Sequence, residues 1–227
     1  MIELRDVSKT FTLHNQGSAV IEVLSRVSFS VAPGECVALT GASGAGKSTL
    51  MRMIYGNYLT ASGAIRIGDV DLAQAEPRQI IQLRREVLGY VSQFLRVVPR
   101  VPTLEVVAEP LRAVGVPADA AEARARALLS QLNIPERLWS LSPTTFSGGE
   151  QQRVNIARGF AHGYPAMLLD EPTASLDPVN RAVVLSLITE AKARGAAIIG
   201  IFHDAAAREA VCDREIDVSR FTPQAAA

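Results

Sequence analysis

The chain has 227 residues, 48% hydrophobic and 20% charged, which excludes compositional disorder and suits one α/β domain with room for a small subdomain. Lys plus Arg balances Asp plus Glu at 23 each, so no bulk charge marks a nucleic-acid or anionic-membrane binder, and no nucleic-acid partner is expected. Apolar runs such as Ala196 to Phe202 are too short to span a bilayer and MIELRDVSKTF lacks the layout of a signal peptide, so a cytoplasmic protein without a transmembrane segment of its own is expected.

Ile2 to Val7 alternates apolar and polar residues as a half-buried strand does. Val20 to Val31 continues the β character, broken near Leu24 to Arg26, and Pro33-Gly34 signals a turn. Cys36 to Thr40 is a short apolar run entering a glycine-rich loop, with a helix expected from about Lys47. Ala64 to Leu72 reads as a strand pair around Gly68-Asp69, and Val87 to Val91 as a short strand. From Thr103 to about Leu141 Ala, Leu, Arg and Glu dominate at helical spacing, clearest over Ala121 to Leu132, with Pro102, Pro117 and Pro135 as punctuation. This reads as a helical subdomain inserted at about 93–160. Helices follow over Gly148 to Phe160, Val179 to Ala193 and Ala205 to Val211, with buried strands at Ala166 to Leu169 and Ala197 to Phe202. Alternating strands and helices imply a mainly parallel sheet. The domain is expected to run over 1–218, with residues 219–227 a disordered tail. Cys36 and Cys212 lie in no metal-ligand spacing and read as reduced small hydrophobes.

Gly41-Ala42-Ser43-Gly44-Ala45-Gly46-Lys47-Ser48 fits GxxxxGK[ST], followed by Thr49. The glycines let backbone N–H groups converge on phosphate oxygens, and the next helix points its positive end at them. Lys47 is expected to reach the β- and γ-phosphates of ATP, and the Ser48 hydroxyl to ligate Mg²⁺. Asp170 and Glu171 end the apolar strand at Met167 to Leu169, where a doubly wound sheet has its ligand crevice. Asp170 is expected to hold Mg²⁺ and Glu171 to act as general base on the attacking water.

Phe146-Ser147-Gly148-Gly149-Glu150-Gln151-Gln152-Arg153 resembles the signature motif of the ATP-binding cassette family. The resemblance implies a P-loop fold with a RecA-like parallel core, an N-terminal antiparallel β layer and an inserted helical subdomain. It implies an ATPase dimer, homotypic or heterotypic, in which Ser147, Gly148 and Gly149 meet the γ-phosphate held by the other subunit. It also implies roles for single residues. Gln93 resembles the Q-loop glutamine that senses Mg²⁺ and water, and Ser175-Leu176-Asp177 the D-loop at the dimer interface. His203 resembles the switch histidine on the γ-phosphate, and Phe11 the aromatic stacked on adenine. Phe146 and Glu150 depart from the usual Leu and Gln, and Glu150 adds charge near the site.

Three longer segments, Ser92 to Arg100, Asn133 to Trp139 and Arg153 to Phe160, are similar to the L subunit of the bacterial carbon–phosphorus lyase system. That resemblance implies a role in phosphonate catabolism with lyase core subunits as partners. Formation of ribose 1-methylphosphonate 5-triphosphate or assembly of the lyase is the step implied. Two other readings stay open at this point: the ATPase of a lipoprotein-release or macrolide-type exporter, and an ATP-dependent assembly module.

Overall fold

The structure is a computed structural model that describes residues 1–13 and 18–223. Two sheets and seven α-helices form the described part. An antiparallel sheet has the order β2-β1-β4-β5, from β1 (Ile2–Leu13), β2 (Ala19–Val31), β4 (Ser62–Ile67) and β5 (Val70–Asp71). A parallel sheet has the order β6-β7-β8-β3-β9, from β6 (Leu88–Val91), β7 (Ala166–Asp170), β8 (Ala197–Ile201), β3 (Cys36–Thr40) and β9 (Arg214–Asp217). An antiparallel β layer beside a parallel core, with a run of helices between β6 and β7, is the arrangement the resemblance implies.

Alternation along each parallel strand sets the two cores, because successive side chains point to opposite faces. Cys36, Ala38, Met167, Leu169 and Ile198 pack with the helices α3 (Thr103–Ala113), α4 (Ala118–Gln131), α5 (Gly148–Ala161), α6 (Pro178–Ala193) and α7 (Ala205–Val211). Val37, Leu39, Leu168 and Ile199 pack on the other face, with α1 (Lys47–Ile54) and the antiparallel sheet. Both faces are therefore covered, as a parallel sheet requires.

Several elements differ from expectation. The strand predicted over Ile2 to Val7 continues to Leu13, and the break near Leu24 to Arg26 is a bulge inside a continuous β2. Asp6 and Arg26 take positive φ (47° and 52°) where the register shifts. Helix α2 (Pro77–Glu86) was not expected; a Glu76–Gln79 capping box and Pro77 start it. Strand β9 was not expected either. Residues 219–221 of the expected tail lie in a 3₁₀ turn, Val218–Phe221, packed beside the phosphate loop, and 224–227 fall outside the described residues. No described helix is long and apolar enough to cross a membrane.

Candidate nucleotide-binding site

The loop between β3 and α1 is held open by its own chain. Gly41, Gly44 and Gly46 take positive φ, 124°, 81° and 95°, a region that side chains disfavour. A Cβ on Gly46 would sit 2.9 Å from Leu24 Cδ2, and one on Gly41 would sit 2.7 Å from Ser219 Oγ. Gly44 faces open space, so a ligand can approach the backbone there. Lys47 Nζ donates to Gly41 O (2.6 Å) and Ala42 O (2.9 Å), folding over the loop it is expected to serve. Gly46 caps α1 without any side-chain hydrogen bond, and no acidic residue stands in the first turn. The first N–H groups of α1 are thus left for a ligand.

This loop lines a cavity of about 480 Å³ that brings Gly41, Ser43, Gly44, Gly46, Lys47, Ser48 and Thr49 together with Glu171 and His203. Ala45 is buried behind the loop. Glu171 sits at positive φ (53°), just past β7, and its N–H donates to Ile201 O at 3.0 Å. That turn aims the carboxylate between two partners. His203 Nε2 lies 2.7 Å from Glu171 Oε1, and Gln93 Nε2 donates to Glu171 Oε2 at 3.3 Å. His203 and Gln93, from two other strand ends, therefore meet on the Glu171 carboxylate.

Asp170 is buried at the end of β7 and accepts a hydrogen bond from Tyr90 Oη at 3.2 Å. Burial pushes its carboxyl above the ordinary range, and the neighbouring Glu171 adds to this. Burial likewise pushes the Tyr90 phenol up. A divalent cation would offset that cost, and the oxygen donors Ser48 and Asp170, with Gln93, line one shared groove. The residues present thus fit Mg²⁺.

The signature turn lies elsewhere, at the start of α5. Ser147 is the N-cap; its N–H and hydroxyl both donate to Glu150 Oε2, at 2.9 and 2.7 Å. Glu150 N–H returns a bond to Ser147 Oγ at 3.4 Å. The Ser147 hydroxyl holds the Glu150 carboxyl below the ordinary range, and the Ser147 N–H helps. Gly148 meets nothing within 4 Å, and Gly149 lies 3.4 Å from Ser175 O when given a Cβ. Asp177 caps α6 and Ser175 takes positive φ, 60°. Ser147, Gly148 and Gly149 do not join the cavity of the phosphate loop within one chain.

Phe11 is not brought to that cavity either. Its ring is edge-on to Tyr58, with centroids 5.4 Å apart, and Lys9 Nζ stands 4.8 Å from its centre. Three site contacts escaped the sequence reading altogether. Tyr90 holds Asp170, Gln152 Nε2 donates to Glu171 O (3.3 Å), and Asn155 Nδ2 donates to Ser92 O (2.6 Å). Gln152 and Asn155 both lie on α5, so one helix touches the general-base turn and the segment leading to Gln93.

Comparison with known proteins agrees with this geometry. A family profile described as ABC transporter matches residues 24–174. The pyoverdine export ATP-binding/permease protein PvdT of Pseudomonas aeruginosa is 40% identical over 204 residues, 90% of this chain and 30% of that protein. The chain thus spans under a third of that relative. The lipoprotein-releasing system ATP-binding protein LolD of Legionella pneumophila is 36% identical over 86% of each chain. Among solved structures, a dimeric ATP-binding cassette, MJ0796, in a post-hydrolysis state with ADP and Pi superposes with a TM-score of 0.87. It is 27% identical, and the match covers 96% of this chain and 95% of that one.

Proposed function

The chain belongs to the ABC transporter family, and from that premise we propose that it binds Mg-ATP, dimerises around it and hydrolyses it to drive motion in a partner. The observation that carries the reading is the meeting of Glu171, His203 and Gln93 beside the open phosphate loop. In this reading the loop N–H groups and Lys47 hold the phosphates, and Ser48 and Asp170 hold the metal with Gln93. Mg²⁺ would supply charge neutralisation on the phosphate oxygens. Glu171 accepts the proton of the attacking water, and His203 orients that carboxylate and meets the γ-phosphate. Phe11, which resembles the adenine-stacking aromatic, would receive adenine outside the phosphate-loop cavity, beside Tyr58 and Lys9. Ser147, Gly148 and Gly149 would complete the site across a dimer, since each chain separates them from its own phosphate loop.

We further propose that the partner is the carbon–phosphorus lyase core. The support is the similarity of Ser92 to Arg100, Asn133 to Trp139 and Arg153 to Phe160 to the L subunit of that system. Phe94 and Val98 are exposed (70% and 71%), and Phe94 lines a groove of about 720 Å³ with Arg52, Arg84, Arg85, Arg96 and Arg158. Apolar anchors with arginine suit a protein interface. Leu95 packs partly against the core, which leaves Phe94 and Val98 as the exposed anchors. Likeness to PvdT and LolD favours a second reading, in which the partner is an export permease. Tagged protein purified from cells grown on a phosphonate as sole phosphorus source separates the two. Lyase subunits should co-purify with the wild type and be lost with Phe94→Asp plus Val98→Asp. Recovery of a permease with no lyase subunit would contradict the phosphonate role.

A further inference from the structure

Cys36 and Cys212 are far apart in sequence, yet their sulfurs lie 3.5 Å apart. Cys36 is the first residue of β3 and fully buried; Cys212 closes α7 and is half-buried. The backbone holds them face to face. Asp213 N–H donates to Cys36 O (2.8 Å), and Cys36 N–H donates to Asp213 Oδ2 (2.7 Å). Lys192 Nζ fixes the same corner, donating to Val211 O (2.7 Å) and Asp213 Oδ1 (2.9 Å). A sulfur–sulfur bond is about 2.05 Å long, so closure needs about 1.5 Å of approach.

What lies beyond this corner gives the pair a consequence. Strand β9 is the sheet edge and pairs with β3 alone. Both strands run in parallel away from the cysteines toward the phosphate loop. At their far end Asp217 and Ser219 stand against Gly41, and Thr222 Oγ1 donates to Ala45 O at 3.2 Å. Residues 214–222 are therefore a strap on the back of the phosphate loop, held at its base beside Cys212.

We propose that Cys36 and Cys212 are an oxidation site, at which a peroxide closes a disulfide that pins this strap to the strand feeding the phosphate loop. Cys212 reacts first, because an oxidant reaches it and not Cys36. The hydrogen bond with Cys36 draws the Cys212 thiol below its ordinary range, with help from Lys192, while the same bond and burial push Cys36 up. The Cys212 thiolate attacks one peroxide oxygen and the O–O bond breaks. This gives Cys212 sulfenic acid and hydroxide, which takes up the released thiol proton as water. The Cys36 sulfur then attacks the Cys212 sulfur. The S–S bond forms, the S–O bond breaks, and the hydroxyl leaves with the Cys36 proton as a second water. One hydrogen peroxide is reduced to two waters, and two thiols lose two electrons.

The pair lies at the opposite end of β3 from Lys47 and Ser48, so oxidation should tighten the fold without altering the phosphate contacts. The test treats the reduced full chain with a small excess of hydrogen peroxide. Intact mass should fall by two hydrogens, and peptide mapping should recover Cys36 linked to Cys212. The melting temperature should rise by about 5–10 °C. Hydrogen exchange over 214–222 should slow, while ATP affinity stays within about twofold. In Cys36→Ser, dimedone should trap a sulfenic acid on Cys212. Uptake of oxygen without the crosslink would overturn the proposal. So would a crosslinked chain whose exchange over 214–222 is unchanged.

Discussion

The phosphate loop and the signature turn are both glycine-framed helix starts, yet their free N–H groups are treated in opposite ways. At α1 the cap is Gly46, with no side chain bonded to the helix end and no acid in the first turn. At α5 a reciprocal box between Ser147 and Glu150 takes up the N–H groups of those two residues. The first end is prepared for an anion, and its cost is carried by the fold: Leu24 and Ser219 wedge Gly46 and Gly41 into place. The second end ties up its own Ser147 hydroxyl and the Ser147 and Glu150 N–H groups, and must loosen that box before the hydroxyl can serve a ligand beside Gly148 and Gly149. A site with both ends in one dimer would then be held by the phosphate loop and switched by the signature turn.

The largest test of that contrast is Glu171→Gln. It leaves the phosphate loop intact and removes the base, so ATP should still bind while steady-state phosphate release falls by about 10²-fold or more. Full turnover would move the base elsewhere, with His203 next in reach of the cavity. Lys47→Ala strikes the prepared end directly. Loss of charge-assisted bonds worth about 1.5–3 kcal/mol should weaken ATP binding by about 10- to 150-fold, measured by calorimetry. An unchanged affinity would remove Lys47 from the phosphates.

Glu150→Gln sharpens the contrast at the other end. Glutamine can keep the cap but carries no charge to repel a γ-phosphate. ATP-driven dimerisation should tighten by about 2- to 10-fold, read by sedimentation; weaker dimerisation would show that the carboxylate helps closure. The same variant has a pH signature. Because the Glu150 carboxyl is lowered from its ordinary 4.5, its contribution is full above that value and lost as pH falls through the lower folded one. Stability of the Gln variant should fall less steeply with acid in that window. The smallest effect belongs to Asp170→Asn. Burial raises the Asp170 carboxyl, so its charge costs stability once the pH exceeds the ordinary value of 3.8. The nucleotide-free variant should melt higher than the wild type at neutral pH, and the gain should vanish as the pH falls below 3.8. A lower melting temperature would mean that the Tyr90 bond outweighs the burial cost.

The phosphate loop and the acidic pair were legible because the chemistry demands particular residue types at tight spacing. Gly41, Gly44 and Gly46 mark backbone that other residues disfavour, and Asp170-Glu171 ends an unbroken apolar strand. Helix α2 carries a narrow stripe of Ile80, Leu83 and the C-cap Val87 that packs on the core, but Leu83 alone is buried and the exposed Ile81 blurs the period. Strand β9 reads Arg-Glu-Ile-Asp with Ile216 alone buried, which is how an edge strand looks. The bulges at Asp6 and Arg26 break the alternation, so β1 reads only to Val7, while β2 reads over nearly its whole length with an apparent interruption at Leu24 to Arg26. Tyr90, Gln152 and Asn155 act across long sequence separations, and nothing local marks their partners. The cysteine pair was read as inert for the same reason: Cys36 and Cys212 meet only once β3 and β9 are neighbours.

The central claim is that two chains close around ATP, each lending its signature turn to the other's phosphate loop. Sedimentation of purified Glu171→Gln tests it most directly. With Mg-ATP the variant should move to twice the protomer mass, and a second substitution, Ser147→Ala, should return it toward the monomer with ATP still bound. A variant that binds Mg-ATP and stays monomeric, or a dimer indifferent to Ser147, would contradict the account.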